Sequence, residues 1–176
     1  MSGTQWFFIV FRLIHILAGV AWAGGVFLFV VFLQPSAAAI GPAAGPMMGQ
    51  LLGVRKLVDR FLQLAAITIA AGLVMYVKIA TDFGTLGDLL ATGYGVALTI
   101  GMLAAIAAAS VGMFVTRPNV QRLLGIQRAV ADGGAPPTPQ QAAEIATIQG
   151  TLKLYARISL TLLAVAVAAM ATARYW

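Results

Sequence analysis

Residues 13–33 read LIHILAGVAWAGGVFLFVVFL, 21 positions with one histidine and no acid, lysine or arginine. A helix needs about 20 apolar residues to cross a bilayer core, so this stretch reads as a span. Trp6 to Val10 extend it backwards to about residue 6, and Gln34-Pro35 closes it. Arg12 and Ala37-Ala38-Ala39 would be the basic start and cleavage site of a signal peptide, but 21 residues exceed an apolar region of about 7–15. The same pattern recurs further along the chain. Residues 57–77 form a second span closed by Lys78, and 94–115 a third stopped by Arg117-Pro118, where proline lacks a donor. Residues 152–172 form a fourth, ending in the interfacial anchor Arg174-Tyr175-Trp176.

Composition sets the same limits. The 176-residue chain is 61% hydrophobic and 9% charged, against about 25% charged in an ordinary soluble domain. Mean hydropathy is +0.94. These values exclude a soluble enzyme and a nucleic-acid-binding domain, and the absence of cysteine excludes disulfides, thiolate nucleophiles and Cys-ligated metals. The reading is an all-α integral membrane protein, residues 1–176 forming one four-helix bundle.

Charge gives the expected orientation. Arg55, Lys56, Arg60, Arg117, Arg122, Arg128, Lys153 and Arg157 flank one side, eight basic residues against three (Arg12, Lys78 and Arg174) on the other. Cytoplasmic segments are enriched in lysine and arginine. Both termini and the 78–93 connector are therefore expected outside a bacterial or archaeal cytoplasmic membrane. Short cytoplasmic helices are expected at about 46–53, 119–131 and 139–151. Thr138-Pro139-Gln140-Gln141 has the form of a capping box, and no strong breaker follows before Trp176. The last cytoplasmic helix should thus continue into span four. Its stripe of Ala142, Ile145, Ile148 and Leu152 should pack on Val120, Leu123, Leu124 and Val130. Small residues spaced by four, in Gly101/Ala105/Ala109, Ala104/Ala108/Gly112 and Ala164/Ala168/Thr172, let helices approach closely. They are compatible with partners in the same chain, a homodimer or a larger membrane complex.

The chemistry-bearing residues gather on span one. Arg12, His15, Gly19 and Trp22 recur every three or four positions and share a helix face. Ionisable residues inside a membrane are functional candidates by default. Arg12 also sits where a side chain snorkels to headgroups, and the structural alternative for His15 is a hydrogen bond across helices to a threonine or a carbonyl. Met75, Met102 and Met170 lie at similar depth on the other three spans. One imidazole with several thioethers suits copper, or the axial positions of a haem iron, with Arg12 facing a propionate. Methionine is also a common filler of apolar cores, which requires no cofactor at all.

Arg12-x-x-His15-Ile16-x-x-Gly19-x-x-Trp22-x-Gly24-Gly25 resembles the first span of CopD-like integral membrane proteins, and HemJ-type protoporphyrinogen oxidases have a similar first helix. The resemblance is best over residues 12–35. It implies a four-helix fold in which His15 corresponds to a first-span histidine that binds haem or copper. Three functions follow as expectations. The first is a redox or metal-handling protein that holds haem b or copper around His15, with Arg12, Gly19, Trp22, Met75 and Met102 lining the site and His15, Met75, Met102 and Met170 as metal ligands. The second is a non-catalytic membrane subunit. The third is a HemJ-type oxidase.

Overall fold

The computed structural model describes residues 3–176. Every regular element among them is helical: α1 (Gly3–Leu28), α2 (Gln34–Ile40), α3 (Gly45–Gly49), α4 (Leu57–Phe83), α5 (Leu86–Leu90), α6 (Gly93–Val111), α7 (Arg117–Gly133) and α8 (Pro139–Thr172). Four continuous helical stretches, Gly3–Val54, Leu57–Phe83, Gly93–Gly133 and Pro139–Tyr175, are long and apolar enough to cross a membrane.

Pro35 and Pro118 do not stop their helices, contrary to the sequence expectation. Each is preceded by a π-helical turn, Phe29–Leu33 before Pro35 and Gly112–Thr116 before Pro118. A proline ring collides with the carbonyl four residues earlier and leaves that carbonyl without its donor. A wider turn redirects the carbonyls there, so the chain passes the proline without ending the helix. The first connector ends at Arg55-Lys56, where Lys56 takes φ 50°, a left-handed conformation that turns the chain into α4.

α1 packs along α4 and α6 along α8, while the two pairs meet less extensively. The bundle is therefore two helical hairpins laid together. Small residues set the distances. A Cβ on Gly25 would lie 2.6 Å from the Phe61 ring, and one on Gly101 would lie 2.8 Å from Met170 Cγ and 3.2 Å from the Ala166 carbonyl oxygen. The buried core joins Trp22 of α1, Ala65 of α4, Ala104, Ala105 and Ala108 of α6, and Leu163 and Ala166 of α8. Of the expected small-residue ridges, Gly101/Ala105 and Ala104/Ala108 are buried within the chain, whereas Ala164/Ala168/Thr172 faces outward.

The connectors are built locally. Thr138 Oγ1 accepts from the Gln141 amide at 3.2 Å and Gln141 Oε1 accepts from the Thr138 amide at 2.9 Å, which starts α8. That helix runs through Gly150 without interruption. Val120, Leu123 and Ile148 are buried where α7 meets α8, and Arg122 pairs with Glu144 beside them. Arg117 Nε donates to Asp59 Oδ1 at 2.7 Å, joining α7 to the start of α4. Exposed pairs of this kind contribute about 0–1 kcal/mol each. At the opposite end Thr85 and Asp88 form a second capping box, which the connector reading of 78–93 did not anticipate. It starts α5, whose Leu89 is fully buried under α6.

Candidate functional site

His15 lies on the α4-facing side of α1, and its Nδ1 is 2.8 Å from the Thr68 carbonyl oxygen. A carbonyl only accepts, so Nδ1 carries the proton and donates. The Nε2 lone pair is thereby left for another partner, and among the described residues it has no hydrogen bond. Fixing one ring nitrogen on a backbone carbonyl sets which nitrogen can ligate or accept, as in metal-binding histidines.

Gly72 makes this contact possible. Within α4 the Thr68 carbonyl points along the axis towards residue 72, so a side chain there would stand between the carbonyl and an approaching ring. A Cβ on Gly72 would lie 2.9 Å from His15 Cε1 and 3.0 Å from Nδ1. Gly19, one turn after His15, brings α1 close at the same level, with its hypothetical Cβ 3.3 Å from Thr68 Cγ2. Thr68 itself is buried and turns its hydroxyl back to the Leu64 carbonyl at 2.8 Å, so only its main-chain oxygen serves His15.

Gly72→Ala is expected to swing the imidazole off the Thr68 carbonyl. The nitrogen-15 spectrum of histidine-labelled protein measures this: the variant ring should lose its fixed Nδ1–H signal, and an unchanged spectrum would show that the ring needs no such room at residue 72.

A cavity of about 420 Å³ opens beside His15 between all four long helices. It lies towards the end of the bundle that carries Lys78, Tyr94 and the C-terminus of α8, with the buried core as its floor. All seven residues singled out in the sequence border it: Arg12, His15, Gly19, Trp22, Met75, Met102 and Met170. Their states differ. Trp22 is 5% exposed and forms part of the floor. Met170 packs over Gly101, so it also does structural filling between α8 and α6. Arg12 is exposed on the cavity rim and has no ion pair or hydrogen bond among the described residues.

Sequence reasoning missed Thr68, Gly72, Tyr76 and Thr99. Thr99 Oγ1 spends its proton on the Gly95 carbonyl at 2.7 Å, so the 2.6 Å contact with Tyr76 has the phenol as donor. This bond ties α4 to α6 across one side of the cavity. Thr68, Gly72 and Met75 share a face at intervals of four and three, a pattern present in the sequence but unremarkable without the position of His15. Among the described residues no three His, Cys, Asp or Glu side chains gather, so a zinc- or calcium-type cage has no donors.

Family models, curated proteins and solved structures were all compared with this chain, and none matches it significantly.

Proposed function

We propose that this chain is a membrane redox or metal-handling protein that holds a prosthetic group, best read as haem b, through His15 Nε2. The observation that carries the reading is the Nδ1–H bond to the Thr68 carbonyl, which presents the opposite nitrogen beside a largely apolar cavity. The residues fit the group. Small-molecule sites occupy about 300–1,000 Å³, and a single ion would leave most of the 420 Å³ unfilled. The chain has one histidine, so a single copy offers His/Met ligation, with Met75 or Met102 as the second ligand, or an open position. When bound, haem supplies one-electron chemistry. The protein's part is to orient the imidazole and keep water from the Trp22 floor.

Three methionines on the same cavity favour copper as the second reading, since thioethers and imidazole suit Cu(I). The visible spectrum and metal content of detergent-purified protein separate the cases. A Soret band is expected; a colourless preparation that retains copper supports the second reading. A colourless preparation without metal overturns both and leaves a non-catalytic subunit. A HemJ-type oxidase activity would additionally require oxidation of a porphyrinogen by the haem-loaded protein.

The charge distribution supports both termini outside a bacterial or archaeal cytoplasmic membrane, with the Arg55–Arg60 turn, α7 and the start of α8 in the cytoplasm. A reporter fused after Trp176 should be active only when it folds outside. Activity confined to the cytoplasm would invert the topology.

A further inference from the structure

The four seams around the cavity are not closed alike. His15 bonds α1 to α4, and Tyr76 bonds α4 to α6. Gly101 lets α6 and α8 touch directly. Between α1 and α8, among the described residues, no hydrogen bond or ion pair crosses at this level. The most exposed apolar residues of the cavity wall are Ile16 of α1 at 49% and Val167 of α8 at 55%, each next in sequence to an inward cavity residue, His15 and Ala166. Leu73, on the tied α4 side, is 39% exposed. Below the seam Trp22 and Leu163 are buried at 5% and 4%, which closes it towards the core. Arg12 lies one turn from Ile16 at its rim, a cation with no partner among the described residues.

We infer that the cavity opens sideways into the bilayer between α1 and α8, and that this opening binds a membrane-dissolved amphiphile with a carboxylate head. The arrangement suits that chemistry. The apolar seam accepts a hydrocarbon body without desolvating any polar group. Arg12 at the rim pairs with a carboxylate through a planar fork of donors. A fully aqueous ligand would have no use for the seam, and a neutral hydrocarbon none for Arg12. The inference shares a cavity with the haem reading but needs no metal.

The test is photolabelling of the full chain in phosphatidylcholine vesicles with palmitic acid that bears a diazirine, mapped by mass spectrometry. Label is expected on the cavity-lining residues Arg12, Ile16 and Ala23 of α1 and Leu163, Val167 and Met170 of α8, and excess unlabelled palmitate should displace it while the methyl ester should not. Arg12→Ala should weaken competition about tenfold, the usual scale for losing a charge-assisted bond, and Arg12→Lys, which keeps the charge and loses the fork, should restore only part of it. Label that is not displaced by palmitate, or that falls only on outward residues such as Leu13, Leu17 and Val20, would overturn the inference. Haem and palmitate would compete for one cavity, so the label is read on the haem-free chain and the Soret band after haem is added. A Soret band with no displaceable label removes only the inference, and displaceable label with no Soret band removes only the haem reading.

Discussion

His15→Ala should purify as a folded four-helix protein without haem, its Soret band absent rather than reduced. The chain has no other histidine, so no neighbouring imidazole can take over the role. The structural cost is small by comparison. One hydrogen bond to the Thr68 carbonyl is lost, a net contribution of about 0.5–1.5 kcal/mol, and that carbonyl keeps its place in the ladder of α4. His15→Met should also lose haem but keep part of any copper, because a thioether replaces one soft donor with another. Retention of the full Soret band by the alanine variant would move the site elsewhere.

Gly95→Ala is expected to have the largest effect on the fold itself. A Cβ there would run into the Leu89 carbonyl, with Leu89 C at 2.7 Å. Both are held: Leu89 is fully buried, and Gly95 donates to Thr92 Oγ1 at 3.0 Å at the start of α6. Backbone cannot step aside as a flexible side chain can. The α5 turn must therefore detach or α6 must shift, at a cost of at least ~3 kcal/mol. Gly150→Ala provides the control. Nothing lies within 4 Å of its hypothetical Cβ in the middle of α8, so alanine should stabilise by about 0.5–1 kcal/mol through helix propensity. Thermal unfolding in detergent, followed by far-ultraviolet circular dichroism, compares the two; equal midpoints would contradict the packing described at Leu89.

Four apolar spans were legible because the requirement for about 20 consecutive apolar residues is nearly independent of tertiary context. The capping box at Thr138 was legible for a similar reason, being a purely local exchange of hydrogen bonds. The passage of the chain through Pro35 and Pro118 was not. Proline was read as a stop, and the π-helical turns that accommodate it carry no distinctive residues: FVVFL before Pro35 and GMFVT before Pro118 share little. The capping box at Thr85 was present in the sequence and was overlooked, because α5 has only five residues and no apolar periodicity to draw attention to it.

At the candidate site, the face of span one was legible from spacing, and depth counted from the charged ends selected the three methionines. A bond from the imidazole across helices to a threonine or a carbonyl was legible as the structural alternative, and the Thr68 carbonyl makes it. Which carbonyl was not legible, because a backbone oxygen leaves no mark in a sequence and access to it depends on Gly72, one turn further along α4. The division of the seams was equally hidden. The bond between Tyr76 and Thr99 and the exposure of Ile16 beside the cavity follow from how the hairpins meet, which no single helix encodes.

The candidate site rests on one atom pair, His15 Nδ1 and the Thr68 carbonyl oxygen, and the chain's lone histidine makes it directly observable. Solid-state nitrogen-15 NMR of histidine-labelled protein in vesicles, without added haem, should show a single imidazole with Nδ1 protonated and Nε2 bare. On addition of haem the Nε2 resonance should shift or broaden while Nδ1 keeps its proton. A ring protonated at Nε2, or one averaging rapidly between tautomers, would mean that the Thr68 carbonyl does not hold His15 and that the site as described does not exist.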